Sequence, residues 1–198
     1  MRRLFTAAFV LITVPAWAQR FEVAPLTVAG VTTDAPLAPT GPGVTNVEIA
    51  GGFTYGAQAA YLLSPHTSIE ASWTHQNTSM NISTPTSLAT LYYMDVTALV
   101  GNFAYGFRGG SHRVQPFVFA GAGVGWLKST DVDGQAKYTW DVGGGLKYFP
   151  MRHVGARFDG RYQPIHLGTT TTDYCSPFSF CQGALKPFQF SSALVLRF

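Results

Sequence analysis

Seven charged residues sit where they could act together: Glu70, Asp95, Asp141, Lys147, Arg157, Asp159 and Arg161. Carboxylates beside lysine and arginine are the raw material of acid–base catalysis, of an ion path, or of a static network of paired charges. Cys175 and Cys181 are the only cysteines, six residues apart. They fit a disulfide in an oxidising compartment better than a metal site, because His166 is the only further ligand type nearby. A loop that short would constrain the unfolded chain by about 2 kcal/mol. Of the five histidines, no two have metal-ligand spacing. His75 near Ser79 is the one histidine–hydroxyl pairing of the kind nucleophilic catalysis needs, and its spacing matches no known motif. Gly121–Gly125 and Gly143–Gly145 lack the lysine and hydroxyl ending of a phosphate loop, and no helix follows to supply an N-terminus. Glycines there suit a wall that must bend around a crowded interior.

The elements carrying these residues read as strands. Stepping back by two from the terminus gives Phe198, Leu196, Leu194, Ser192, Phe190 and Phe188, against Arg197, Val195, Ala193, Ser191 and Gln189. That is a two-sided strand of period two. The same alternation sets Val154, Ala156, Phe158 and Tyr162 against Arg157, Asp159, Arg161 and Gln163. It sets Tyr138, Trp140, Val142, Leu146 and Tyr148 against Lys137, Thr139, Asp141 and Lys147. Strands are predicted near 21–30, 52–63, 67–77, 91–107, 113–128, 136–149, 154–164 and 187–198, eight in all, with lengths near those that cross a bilayer at a tilt. Their connections alternate: tight turns at 64–66, 108–112 and 150–153, longer segments at 31–51, 78–90, 129–135 and 165–186. Short turns at one end and long loops at the other are the habit of barrels in outer membranes.

The charges share one face of these strands. Unpaired in an apolar core, each would cost several kcal/mol. Facing lipid, an arginine or lysine at midplane would cost about 2–4 kcal/mol. Facing a polar lumen, opposite charges can pair, so the lumen is their place. Phe117 and Phe119 break the pattern by sharing a parity with Gln115 and the glycines, which calls for either a bulge or aromatic rings inside the barrel. Tyr61, Trp73, Tyr92, Trp126, Trp140 and Tyr148 lie near strand ends, where interfacial aromatic girdles form. The expected fold is therefore all-β: an eight-stranded antiparallel up-and-down transmembrane β-barrel with a polar interior. An eight-stranded lumen holds side chains or one small ligand.

Both ends of the chain fit export. Arg2 and Arg3 precede an apolar run closed by Ala16-Trp17-Ala18, the pattern of a signal peptide over 1–18 cleaved after Ala18, which leaves a barrel domain over 19–198. The later sequence has no apolar stretch long enough for a transmembrane helix. Charged residues make up only 12% of the chain, and the formal +3 falls to +1 without Arg2 and Arg3. No lysine or arginine run accompanies that balance, so nucleic acid is excluded as a partner. No cofactor is expected.

The chain resembles the small eight-stranded outer-membrane β-barrel domains of Gram-negative bacteria, the broad OmpA/OmpX/OmpW-like class. The residues that carry the resemblance are Phe21-Glu-Val-Ala-Pro, Gly51 to Pro65, Val114 to Gly125, Val142 to Phe149 and the terminal Leu194-Val-Leu-Arg-Phe198. The resemblance implies that Phe198, with Leu196, Leu194 and Phe190, is the signal engaged by the barrel-assembly machinery. The chain is read as an outer-membrane protein in contact with lipid, expected as a monomer, with a structural or surface-interaction role without catalysis; whether the extracellular loops take a ligand is unknown from the sequence. A narrow pore for ions or small solutes is the first alternative; a lipid-modifying barrel enzyme and a soluble lipocalin-like carrier are the others. OmpA itself continues into a peptidoglycan-binding domain, and this chain's sequence stops at Phe198, so a tethering role does not carry over.

Overall fold

The computed structural model describes residues 20–32, 35–37, 46–83, 88–107, 113–129, 135–168, 183–185 and 187–198. Cys175, Cys181, His112 and residues 1–19, which include the segment expected as a signal peptide, lie outside the described residues. Eight long strands form the wall: β1 (Phe21–Thr32), β4 (Phe53–Leu62), β5 (Thr67–Ser83), β6 (Leu88–Gly106), β7 (Val114–Ser129), β8 (Gln135–Tyr148), β9 (Val154–Tyr162) and β12 (Phe188–Arg197). Four short strands, β2 (Ala35–Leu37), β3 (Asn46–Ile49), β10 (Ile165–Gly168) and β11 (Gly183–Leu185), extend the end away from the tight turns.

Every wall strand pairs antiparallel with its sequence neighbour, and β1 pairs with β12 to close the ring. Closure removes both sheet edges, so the terminal strand needs no polar cover. At the seam the Phe198 N–H donates to the Phe21 carbonyl at 2.8 Å. Strand β1 is the irregular stave: its register slips twice against each neighbour, first between Val23 and Thr27 against β12 and between Ala24 and Thr27 against β4. Pro25 lies in that first slip; lacking an N–H, it cannot donate to a ladder.

Residues alternate between lumen and exterior along each stave. In β4 the odd positions Phe53, Tyr55 and Tyr61 are exposed while Thr54, Gln58 and Ala60 are buried. In β12, Phe190 and Leu194 face out and Gln189, Ser191 and Val195 face in. The segment expected to loop over 78–90 is mostly strand, since β5 runs to Ser83 and β6 begins at Leu88. Beyond the apolar band both faces of a strand meet water, so the hydrophobic period fades while the hydrogen-bond ladder continues. The expected loops at 31–51 and 165–186 likewise contain β2 and β3, and β10 and β11.

Candidate functional site: the lumen

Four cations and four carboxylates form one alternating chain through the barrel. It starts at the turn end, where Arg197 Nε donates to Glu22 Oε1 at 2.8 Å. Lys147 Nζ bridges Glu22 Oε2 at 2.6 Å and Glu70 Oε1 at 3.2 Å. Arg157 joins Glu70 Oε2 at 2.8 Å to Asp159 Oδ2 at 3.0 Å. Arg161 then joins Asp159 Oδ1 at 3.1 Å to Asp141 Oδ2 at 3.5 Å. Strands β5 and β9 lie on opposite sides of the ring, so the Arg157–Glu70 pair crosses the full width of the lumen. All of these groups except Arg197 are buried, and with Arg197 included the four positive and four negative charges cancel.

The cations also rest on aromatic rings. The Arg157 guanidinium lies 4.4 Å from the Phe117 centroid, Arg161 lies 5.2 Å from Phe119, and Arg197 lies 3.7 Å from Phe149. Such contacts strengthen when desolvated. Phe117 and Phe119 are thus interior aromatics, and no bulge is needed: β7 keeps an unbroken register with β8. Their cross-strand partners are Gly145 and Gly143. A Cβ at Gly143 would stand 2.6 Å from the Phe119 ring, so the glycine is what lets that ring lie beneath Arg161. Gly143 of β8 is therefore the floor for the Phe119 ring, while Gly145 gives room to the backbone of β9.

Six of the seven charges read from the sequence, Glu70, Asp141, Lys147, Arg157, Asp159 and Arg161, meet in this chain. Asp95 does not. It is exposed on the outward parity of β6, opposite Lys128 of β7, because Met94, Val96 and Ala98 hold the other parity there. Past the apolar band an outward carboxylate faces water, and the rule that charges point inward no longer applies. Sequence reasoning missed Glu22 as a member and left Arg197 unassigned. Both stand on the inward parity of the two staves that meet at the seam, which is the signal that could have found them.

Outside the lumen, His75 does not pair with Ser79. Its Nδ1 is 2.8 Å from Thr97 Oγ1 and its Nε2 is 3.0 Å from Asn77 Oδ1, on the outer wall beside Tyr55 and Trp73. The strand ladders of β4, β5 and β6 hold the backbone around it. His66 and His153 clasp neighbouring strands instead: each lies 2.9 Å through Nδ1 from a backbone carbonyl, of Gly106 and Arg197 respectively. Among the described residues no group of three or more histidines, cysteines or carboxylates could hold a metal ion, and no helix is long and apolar enough to cross a membrane.

The outward face is lined by large exposed apolar groups, among them Ile69, Leu99, Phe103, Phe158, Phe190 and Leu194. Trp73 and Trp126 are exposed with them; Trp140 is half-buried, 5.7 Å from the Tyr162 ring.

A family model described as outer membrane protein beta-barrel domain matches residues 4–198. Among solved structures the chain is similar to the outer membrane protein OprG from Pseudomonas aeruginosa, with 12% identity over 91% of this chain and 97% of that one and a TM-score of 0.65. Neisserial surface protein A is similar at 14% identity, 90% and 97% coverage, and a TM-score of 0.62. The N-terminal β-barrel domain of Pseudomonas aeruginosa OprF is similar at 13% identity, 91% and 98% coverage, and a TM-score of 0.55. Likeness at such identities speaks for the fold alone. No curated protein matches by sequence.

Proposed function

Since the chain belongs to the outer membrane protein beta-barrel domain family, we propose that it is an integral outer-membrane barrel with a closed lumen, serving a structural or surface-interaction role without catalysis. The observation that carries this reading is the Arg157–Glu70 pair across the lumen, flanked by Lys147, Asp159 and the Phe117 ring. A conducting path needs mobile water along its whole length, and these side chains meet across the lumen from opposite walls. The narrow-pore alternative rests on the same polar lining and requires the pairs to part.

Two further readings have less support. A soluble carrier for apolar ligands needs an apolar inside and a polar outside, the reverse of β9 and β12. A lipid-modifying enzyme would have to use His75 and Thr97, and the N–H groups that could hold an oxyanion there belong to a strand ladder. Export with cleavage after Ala18, a disulfide between Cys175 and Cys181, a monomeric state and engagement of Phe198, Leu196, Leu194 and Phe190 by the barrel-assembly machinery complete the proposal. Exposed Phe190 and Leu194 on one face of β12, with exposed Phe198 just beyond it, support that engagement.

Planar-bilayer recording of the refolded protein tests the closed lumen. The expected result is a quiet membrane; steady single-channel steps would overturn it in favour of the pore.

A further inference from the structure

The tight-turn end of the barrel carries cations without counter-charges. None of the chain's ten carboxylates falls in the turn segments 63–66, 107–113 and 149–153. Glu22, the carboxylate at that end of the lumen, is buried and already bound to Lys147 and Arg197. Arg20, Arg113 and Arg152 are exposed there, and none of the three has an ion-pair partner among the described residues. The other end differs: on the outer wall Asp95 of β6 stands opposite Lys128 of β7.

Arg113 and Arg152 share one place on this rim. The Phe149 N–H donates to the Arg113 carbonyl at 2.8 Å, and Arg152 follows three residues later in the same turn. The far side of that turn is tied down as well. The His153 carbonyl accepts the Arg197 N–H at 2.8 Å, and His153 Nδ1 lies 2.9 Å from the Arg197 carbonyl. The turn is thus fastened to β7 on one side and to β12 on the other, so a held backbone presents both arginines. Two like charges kept near each other repel, and an anion from outside the protein relieves that repulsion.

The wall beneath the arginines says what kind of anion fits. Val114 and Tyr148 face each other across β7 and β8, Leu146 follows on the same outward parity, and all three are exposed. Met151, between Phe149 and Arg152, is exposed too. A small soluble anion would use the charges and leave this apolar surface unused. An amphiphile uses both. Guanidinium groups match phosphate oxygens in a forked, two-bond geometry. We propose that Arg113 and Arg152 hold the anionic headgroup of a phospholipid whose acyl chains lie along Val114, Leu146 and Tyr148. The proposal rests on the outer-membrane reading, in which the tight turns face the periplasm and the apolar wall beside them meets the inner leaflet.

Native mass spectrometry of the protein released from nanodiscs of equal phosphatidylglycerol and phosphatidylcholine tests it. Retained phosphatidylglycerol is expected to exceed phosphatidylcholine by about fivefold. The excess is expected to vanish in Arg113→Gln/Arg152→Gln and to survive in Arg113→Lys/Arg152→Lys, with folding checked by heat-modifiable gel mobility. Equal retention of the two lipids by the native protein, or an undiminished excess in the folded glutamine variant, would overturn the site. Loss of the excess to an equal concentration of soluble glycerol phosphate would overturn the lipid as its occupant. Should the glutamine variant not fold, the native protein's own ratio still decides. A native protein that does not enter nanodiscs removes the outer-membrane reading itself, whereas equal retention by inserted protein removes only the lipid site.

Discussion

Along β9 the inward face carries Arg157, Asp159 and Arg161, whereas the outward face carries Ala156, Phe158 and Gly160. Side chains one position apart live in opposite solvents. Arg157 is 3% exposed and Phe158 is 56% exposed. In a water-soluble domain those figures would describe an inverted strand. Here the arginine is held by two carboxylates and an aromatic ring, and the phenylalanine sits in a continuous apolar band. The lesson is that position relative to the wall decides what a residue costs, and burial alone does not. A buried charge with its partners in place is tolerable, and the same charge one residue away is not.

The comparison can be broken most severely at Glu70, the carboxylate shared by Lys147 and Arg157. Glu70→Ala leaves two buried cations short of a counter-charge and is expected to cost about 3–5 kcal/mol, read as a lowered urea midpoint in detergent or lipid. Unchanged stability would show that the crossing pairs do not hold the lumen. Next is Phe158→Arg, which places on the lipid side the residue type already present at 157. The expected cost is about 2–4 kcal/mol, with reduced assembly yield; a neutral result would mean that this face is wet.

Gly143→Val tests the floor beneath Phe119 and is expected to cost about 1–3 kcal/mol from overpacking. Adding Phe119→Ala should recover part of that loss, a coupling a double-mutant cycle measures directly. The smallest effect belongs to Asp95→Asn: outside the lumen and exposed, it should shift stability by no more than about 0.5 kcal/mol. A loss comparable with that of Glu70→Ala would restore Asp95 to the lumen network.

The fold was legible because a membrane barrel writes its geometry twice in every stave, as period two and as a choice of solvent for each face. Strand β9 and the terminal strand could be read from their alternation alone. That signal faded where the wall leaves the apolar band, which is why the outer parts of β5 and β6 read as loop and why Asp95 was placed inside. The site was legible as a set of inward charges and much less as a network. Parity says that Arg157 points inward; it does not say that Glu70, eighty-seven residues away, meets it across the lumen. Glu22 lies at the start of the first strand, and its parity places it inward without saying that Arg197 and Lys147 meet it there. Phe117 and Phe119 looked anomalous because an aromatic ring in a polar lumen makes sense only beside a guanidinium, and that neighbour comes from another strand.

The sorting of the two faces is tested most directly by NMR contacts between lipid acyl-chain protons and the protein in nanodiscs, followed along β9. Ala156, Phe158 and Gly160 are predicted to contact the chains, and Arg157, Asp159 and Arg161 to show none. Acyl contacts to the charged positions, or equal contacts along both faces, would contradict the account.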